Sequence, residues 1–254
     1  MRNLNKAGKK INSLIGKAIS AYNLIGEGDK ILVAVSGGKD SLTLLSLLKA
    51  IQGWAPVKFE LMAAHISTDF HCGSCVHNSV LTDFFEELGV KYFFGEAKVL
   101  DENGKTNCFW CSWNKRKSLF EIAEANGCGK VAFGHHKDDI AETILMNMLY
   151  NGEISGMNPK QEMFGGKITI IRPLCFVEER FVTEYAKEAG FPQQMCQCPY
   201  GENSKRKYVK NFIRDAEIEA PKANIKTNIM KSLSRIKKDY IDIREPGGLD
   251  EKDN

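Results

Sequence analysis

Residues 31–41, ILVAVSGGKDS, decide the fold of this chain. The apolar first half is a continuous run of strand length, which is typical of a strand buried on both faces of a parallel sheet. Two glycines follow, and Asp40 and Ser41 then open an apolar helical pattern. Glycine lets the backbone approach a ligand closely, and a helix N-terminus offers unpaired N–H groups with the positive end of the helix dipole. The stretch therefore predicts a phosphate-binding loop between a buried strand and a helix.

The predicted loop is a hexapeptide made of Ser36, Gly37, Gly38, Lys39, Asp40 and Ser41. Its serines add hydroxyl groups and its lysine adds a positive charge. The spacing is neither that of the Walker loop, GxxxxGK[ST], nor that of the dinucleotide loop, GxGxxG. Many turns with two glycines only cap a helix, so the prediction depends on the full hexapeptide in its strand–helix setting.

Strand-like and helical segments alternate along most of the chain. Strands are predicted at 30–35, 57–67, 90–95, 130–134 and 167–174, and helices at 40–50, 78–89, 113–126, 138–150 and 178–189. This alternation predicts an α/β fold with a parallel five-stranded sheet, helices on both faces and ligands beyond the carboxyl ends of the strands. We expect a basic N-terminal helix in 1–25, the phosphate-loop domain in 26–200, basic C-terminal helices in 201–240 and an acidic tail in 241–254.

Composition restricts the class of protein. The chain has 254 residues, of which 43% are hydrophobic, enough for one sizeable core. No apolar run approaches the ~20 residues of a membrane helix, and the N-terminus lacks the pattern of a signal peptide. We therefore expect a cytoplasmic protein without membrane contact. Its eight cysteines would stay reduced there, which argues against a disulfide framework.

Positive charge is concentrated near the two ends of the chain. Residues 1–20 contain five basic residues and no acidic one, and residues 201–240 contain eleven Lys/Arg against five Asp/Glu. Two basic segments around a near-neutral middle indicate a polyanionic partner such as RNA. Solvated helix faces would explain the same pattern, and charge alone does not decide between the two.

A second polar segment, GHHKDDIAET (134–143), follows the fourth predicted strand. Asp138 and Asp139 could hold Mg²⁺ against phosphate oxygens, since Mg²⁺ prefers a few carboxylates together with phosphate and water. The same two residues are also typical of the cap and first turn of a helix. The two interpretations are compatible.

The cysteines indicate a metal or sulfur site. Cys108 and Cys111 form a CxxC pair in the predicted loop before a helix, and Cys196 lies in a later loop. Three thiolates can hold three irons of a [4Fe-4S] cluster and leave the fourth iron open, whereas ordinary clusters have four cysteine ligands. A zinc site is the competing interpretation, because Cys72 and Cys75 form a second CxxC pair. Cys128 and Cys175 are expected to be buried as small hydrophobic residues.

The hexapeptide SGGKDS resembles the signature of the PP-loop ATP pyrophosphatases, a HUP-like family whose members bind ATP, adenylate a substrate and release pyrophosphate. GHHKDDIAET is similar to the matching segment of one branch, the tRNA 2-thiocytidine synthetases (TtcA-like) and their 2-thiouridine relatives (TtuA-like). The likeness extends from about Gly26 through Ile213.

This resemblance implies a site as well as a fold. It implies ATP binding by residues 36–41 together with Gly134, His135 and Asp139, and Mg²⁺ close to the acidic residues. The catalytic residues would be Asp40, Lys115 and Asp138, and the ligands of a [4Fe-4S] cluster would be Cys108, Cys111 and Cys196.

The resemblance is incomplete at the cysteines. The family shows CxxC at the later site where this chain has CQC, which leaves Cys196 or Cys198 open as the third ligand. The pair Cys72 and Cys75 is additional, so zinc remains a competing cofactor.

The activity implied by the resemblance is ATP-dependent tRNA sulfur transfer. The enzyme would adenylate the C2 carbonyl of a tRNA pyrimidine, cytidine 32, and replace its oxygen by sulfur from a donor such as a cysteine desulfurase or sulfide. A homodimer is left open. Three alternatives remain from the residues: a lysidine-type tRNA ligase, a small-molecule ATP pyrophosphatase, and a non-catalytic RNA-binding module stabilised by zinc.

Overall fold

The structure is a computed structural model that describes residues 4–70, 78–191 and 205–240. These residues form six strands: β1 (Asp29–Ala34), β2 (Phe59–Thr68), β3 (Lys91–Ala97), β4 (Lys130–Ala132), β5 (Lys160–Met163) and β6 (Ile168–Ile171). They also form eight α-helices: α1 (Lys6–Tyr22), α2 (Lys39–Gln52), α3 (Asn78–Leu88), α4 (Cys108–Ala125), α5 (Lys137–Asn151), α6 (Glu179–Glu188), α7 (Lys205–Glu219) and α8 (Ile225–Ser232).

The strands form one sheet in the order β3-β2-β1-β4-β6-β5. The first five strands of this order are parallel, which confirms the predicted α/β fold. The prediction of only five strands is wrong, because β5 adds an antiparallel edge strand paired with β6. Its sequence, KQEM, carries no apolar pattern, since Lys160 and Glu162 point to solvent at this edge.

Two apolar cores cover the two faces of the sheet. One contains fully buried side chains of α1 and α2 together with α3 and α6, as Ile11, Leu45 and Phe85 illustrate. The other lies under α4 and includes Leu119 and Ala123. Cys175 belongs to the first core and Cys128 to the second, which confirms that both cysteines are buried hydrophobic residues.

The two C-terminal helices pack on α5 rather than on the sheet. A small core of Ala141, Val209 and Ile213 joins α5 to α7, and Ile225 and Ile229 of α8 pack against it. Within the range 201–240 predicted to hold basic helices, α7 covers Lys205–Glu219 and α8 covers Ile225–Ser232. This packing brings basic side chains of α7 and α8 close to the first turn of α5.

Helix α4 begins five residues earlier than predicted. Asn107 is its N-cap, and the Asn107 side chain accepts a hydrogen bond of 2.8 Å from the Trp110 N–H. The earlier start places Cys108 and Cys111 in the first turn of a helix and not in the predicted loop. Among the helices that the structure describes, none is long and apolar enough to cross a membrane.

Candidate active site

The predicted phosphate loop lies at the carboxyl end of β1. Gly37 has a φ of +85°, which turns the chain sharply after the strand. Ser36 N–H donates to Ser41 Oγ over 3.1 Å, and that hydroxyl donates to the Gly38 carbonyl over 2.9 Å. Hydrogen bonds to the Ser41 hydroxyl therefore fix the conformation of the loop.

The N-terminus of α2 is open. Its N-cap is Gly38, which has no side chain to bond the first N–H groups of the helix. Those groups have no partner within the helix, and the helix dipole adds a partial positive charge. An anion such as a phosphate is the ligand that this arrangement favours.

Gly134 lets the end of β4 lie directly against this helix start. A Cβ atom at Gly134 would lie 3.0 Å from both the carbonyl carbon of Asp40 and the backbone nitrogen of Ser41. Because these are backbone atoms, a side chain at position 134 would displace the first turn of α2. The predicted role of Gly134 thus has a geometric basis in close backbone approach.

The N-terminus of α5 is closed, in contrast to that of α2. Its N-cap is His136, whose Nδ1 accepts from the Asp139 N–H, while the Asp139 carboxylate accepts from the His136 N–H over 3.0 Å. The predicted cap at Asp138 and Asp139 is therefore displaced, with His136 as the cap and Asp139 three residues into the helix. Because Nδ1 accepts, the proton of neutral His136 resides on Nε2, which faces Asp40 Oδ1 at 3.8 Å.

Asp40 lies between these two helix starts. Burial raises the pKa of Asp40, although the charges of Lys39 and His136 oppose this effect. Lys39 Nζ lies 3.3 Å from Asp40 Oδ1 and 3.1 Å from Glu179 Oε1. The ionised carboxylate is costly in this position, so a bound divalent cation would stabilise it.

Asp138 Oδ2 lies 3.9 Å from His136 Nδ1, and the main contacts of Asp138 are with α6 and α8. Its carboxylate accepts from the Glu179 N–H over 2.8 Å and forms an ion pair of 2.7 Å with Lys226 of α8. These contacts join α6 and α8 to α5, so Asp138 has a structural role. The catalytic role assigned to Asp138 from the sequence stays a prediction.

His135 lies on the cleft side of β4. Its ring stacks on Phe133 with centroids 5.6 Å apart, and its Nδ1 accepts from Arg172 Nε over 3.3 Å. Burial, followed by the charge of Arg172, lowers the pKa of His135 to about 4. His135 is therefore neutral at physiological pH.

Arg206 of α7 reaches the first turn of α5. Its guanidinium lies 3.2 Å from Asp139 Oδ1 and 3.5 Å from Glu142 Oε2, and it donates to Thr143 Oγ1 over 3.3 Å. A helix outside the α/β core thus supplies a cation to the same cleft as the phosphate loop.

One cleft of about 720 Å³ joins these groups. Of the predicted residues, it is lined by Ser36, Asp40, Ser41, Lys115, Gly134, His135 and Asp139. Sequence reasoning missed four further ionisable residues of its lining: His65, Arg116, Arg172 and Arg206. His65 Nδ1 lies 2.7 Å from the Val35 carbonyl oxygen. Burial is the main cause of its lowered pKa, the hydrogen bond to Val35 opposes that effect, and the charge of Lys115 adds to it.

The described cysteines of the predicted metal site lie on α4. Cys108 is exposed and Cys111 is half-buried. The other cysteines considered for a cluster or a zinc site, Cys72, Cys75, Cys196 and Cys198, lie outside the described residues. Within the described part of the chain, no three His, Cys, Asp or Glu side chains are grouped to hold a metal ion.

The sheet, the open helix start and the cleft define a class of nucleotide-binding α/β protein, and a family model specifies it further. The model of the PP-loop domain matches residues 5–220, so the chain belongs to the PP-loop family. Its relatives include tRNA-cytidine(32) 2-sulfurtransferases from Acidovorax ebreus and Pseudomonas putida. The Acidovorax ebreus protein is 38% identical, and the match covers 87% of this chain and 71% of that protein. The Pseudomonas putida protein is 39% identical, and the match covers 86% of this chain and 81% of that protein.

A solved structure shares the fold. The U34-tRNA thiolase NcsA from Methanococcus maripaludis, determined with its [4Fe-4S] cluster, superposes with a TM-score of 0.71. The match covers 91% of this chain and 80% of that protein at 24% identity. This likeness confirms the fold, while the family model over residues 5–220 confirms the family recognised from SGGKDS and GHHKDDIAET.

Proposed function

We propose that this chain is an ATP-dependent tRNA sulfurtransferase that replaces the C2 oxygen of cytidine 32 by sulfur. The observation that carries the proposal is the shared cleft. The open start of α2 and the side chain of Lys115 line the same cavity, and Lys115 lies on the helix whose first turn holds Cys108 and Cys111. Sulfurtransferases of tRNA at 38–39% identity support the assignment of substrate and reaction.

ATP would bind with its phosphates at the N-terminus of α2. The N–H groups of the first turn and the hydroxyl of Ser36 face the ligand there, and Gly134 keeps the opposite wall free of a side chain. Asp40 and Asp139 would hold Mg²⁺ against the phosphates, because this ion is commonly bound by one or two carboxylates with phosphate oxygens and water. The raised pKa of Asp40 supports this role, since a cation relieves the cost of its buried charge.

Lys115 would act on the reacting groups. Its position in the cleft lets its ammonium stabilise negative charge at the α-phosphate. In the first step the C2 oxygen of the base attacks the α-phosphorus, the bond to the bridging oxygen breaks, and pyrophosphate leaves. Adenylation is needed because the carbonyl oxygen of a pyrimidine is otherwise a poor leaving group. In the second step the C2–S bond forms, the C2–O bond breaks, and AMP leaves.

Cys108 and Cys111 fit a cluster at the start of α4. Two thiols three residues apart on a helix lie on one face, so both can reach the same cluster. They would hold a [4Fe-4S] cluster with a third cysteine, for which we propose Cys196. When bound, the cluster supplies the sulfur atom for the exchange at C2. A cysteine desulfurase or free sulfide would provide that sulfur.

The tRNA would approach over the basic helices. Arg206 and Lys210 of α7 lie near the cleft, and α7 carries further basic residues. The reacting base must leave its stack to reach the cleft, which a loop nucleotide does at low cost. Salt-dependent contacts with the RNA backbone would hold the anticodon arm in place.

Anaerobic purification followed by iron, sulfide and zinc analysis tests the cofactor. We expect iron and sulfide in the wild type and their loss in Cys108→Ala. Cys128→Ala is the matched control, because Cys128 is buried in the core under α4 and should leave the iron content unchanged. Zinc without iron in the wild type would refute the cluster.

Nucleoside analysis of tRNA tests the reaction itself. Deletion of the gene should remove 2-thiocytidine from tRNA, and the wild-type chain should restore it, whereas Asp40→Asn should not. An unchanged set of thiolated nucleosides after deletion would refute the proposed activity.

A further inference from the structure

A second cavity lies beside the cleft, between α4 and the β5–β6 hairpin. It measures about 740 Å³, and its floor is apolar, with Phe120, Met163, Ile168 and Ile170. We call it the α4 groove. The proposed ATP and cluster chemistry uses none of these floor residues, so the groove needs a separate explanation.

Two aromatic rings are presented at this groove. Phe164 is 55% exposed and Trp113 is 48% exposed, and both line the cavity. Phe164 has a φ of +53°, a left-handed conformation that is unusual for a residue with a bulky side chain. Its ring meets Phe120 edge-on with centroids 5.5 Å apart, so one face of the ring remains available for stacking. The hairpin turn thus holds an aromatic ring in solvent at a conformational cost.

Arg116 and Arg172 line both the α4 groove and the ATP cleft. Arg172 is only 6% exposed, and it donates to the Asn158 carbonyl oxygen and to His135 Nδ1. Burial, followed by the charge of Arg116, lowers the pKa of Arg172 to about 10. Among the ion pairs found within the described residues, none joins Arg172 to a carboxylate. Arg116 and Arg172 are neighbouring cations, and the buried Arg172 has no carboxylate partner among the described ion pairs. The two side chains therefore favour an anion where the two cavities meet.

The outer part of the groove is also basic. Lys117 and Lys167 line it, together with Glu121 and Glu124, so four cationic side chains stand against two acidic ones when both arginines are included. Aromatic rings with basic side chains are the pattern that binds single-stranded nucleic acid, because every base has a face for stacking and every nucleotide carries a phosphate. A second copy of the chain would bring no such regular negative charge.

We propose that the α4 groove binds the tRNA nucleotide next to the reacting one. Its base stacks on Phe164 and Trp113, and the phosphate that joins it to the reacting nucleotide lies against Arg116 and Arg172. This inference rests on the proposed function. It adds a base-stacking site that compensates for the stacking lost when the reacting base enters the cleft.

Equilibrium binding of a fluorescent anticodon stem-loop RNA to the full chain, without ATP, tests the proposal. Phe164→Gly removes the ring and suits the positive φ of the turn, so the hairpin should keep its fold. We expect its Kd to rise by about 5- to 150-fold, the range that corresponds to ~1–3 kcal/mol per stacked base. Phe164→Tyr should bind like the wild type because it keeps an aromatic ring.

Two further variants separate stacking from charge and from general effects. Lys167→Gln leaves the rings in place and should lower the slope of log Kd against log salt by about 0.7, the value for one phosphate contact with a single strand. Trp54→Ala is the matched control, because Trp54 is 52% exposed and lies in the loop before β2, which β1 and β4 separate from β5 and β6. Its RNA binding should not change, and ATP affinity should not change in any of these variants.

The outcomes distinguish the groove from the proposed function. If the wild type thiolates tRNA but Phe164→Gly binds RNA equally well, the groove proposal is wrong and the proposed function stands. Conversion of a dimer to a monomer by Phe164→Gly, with unchanged RNA affinity, would show an interface between copies and also overturn the groove proposal. If the wild type neither binds nor thiolates tRNA, the proposed function itself fails.

Discussion

Replacing Gly134 by alanine tests the contact between the end of β4 and the start of α2. The new Cβ would lie 3.0 Å from Asp40 C and Ser41 N and 3.1 Å from Asp40 O. Ordinary van der Waals contact begins near 3.4 Å, so the backbones must separate by about 0.4 Å. Overpacking of this kind costs about 1–3 kcal/mol of unfolding free energy.

The same displacement should reduce the activity of Gly134→Ala. The atoms that must move form the first turn of α2, where we place the phosphates of ATP. A misplacement of about 1 Å can cost about 100-fold in rate, so we expect kcat/KM for ATP to fall by about 10-fold or more. Urea unfolding measures the loss of stability, and tRNA-dependent release of pyrophosphate measures the activity.

Gly16→Ala is the matched control for Gly134→Ala. Gly16 lies within α1, and a Cβ there meets no atom within 4 Å. Alanine should raise stability by about 0.5–1 kcal/mol through helix propensity and leave activity unchanged. Wild-type stability and full activity in Gly134→Ala would refute the idea that this glycine acts as a spacer.

Two further predictions concern the charges around α2 and α6. Hydrogen bonds and charges of Lys210 and Lys39 outweigh burial and lower the pKa of Glu179 from 4.5 to about 2. Glu179→Gln should therefore cost about 1–2 kcal/mol of unfolding free energy near neutral pH, a value reduced for solvent screening because Lys210 is about half exposed. This difference from the wild type should shrink as the pH falls from 4.5 toward 2, and a constant difference would contradict the assigned ion pairs. Burial raises the pKa of Asp40 from its ordinary value of 3.8, so the ionised carboxylate destabilises the folded state. Asp40→Asn should therefore be more stable than the wild type at pH 7. Near pH 3, where Asp40 is protonated in both the folded and the unfolded chain, the two proteins should be equally stable. The same variant should lose at least about 100-fold in pyrophosphate release, and an active Asp40→Asn would exclude Asp40 from the chemistry.

The parallel sheet was predictable because each of its strands carries its own apolar signal. The run KILVAV, for example, reads as a buried strand without help from the rest of the chain. Strand β5 lacks such a signal, since it is defined by its pairing with β6 and not by its composition. The start of α4 did have a local signal, the N-cap Asn107, which the apolar pattern after Trp113 obscured.

The polar residues of the cleft were predictable where they fall in the two motifs, and Lys115 was predictable from the family resemblance. Asp138 and Asp139 are neighbours in sequence, yet one binds Lys226 and the other faces Arg206, because adjacent residues on a helix point in different directions. His65 stands alone on β2, and Arg172 directly follows β6. Only the tertiary structure brings them to the cleft, so no spacing in the sequence could identify them.

The attachment of α7 through Arg206 links the cleft to the helix over which we propose that tRNA approaches. A ligand that moves α7 must break the ion pairs with Asp139 and Glu142 and leave two carboxylates without their cation beside the polyphosphate. ATP then binds less tightly, whereas a ligand that holds α7 in place preserves its affinity. By thermodynamic reciprocity, ATP changes the affinity for that ligand by the same factor. A tRNA bound over α7 would therefore change the affinity for ATP through Arg206, and ATP would change the affinity for tRNA, before either substrate has reacted.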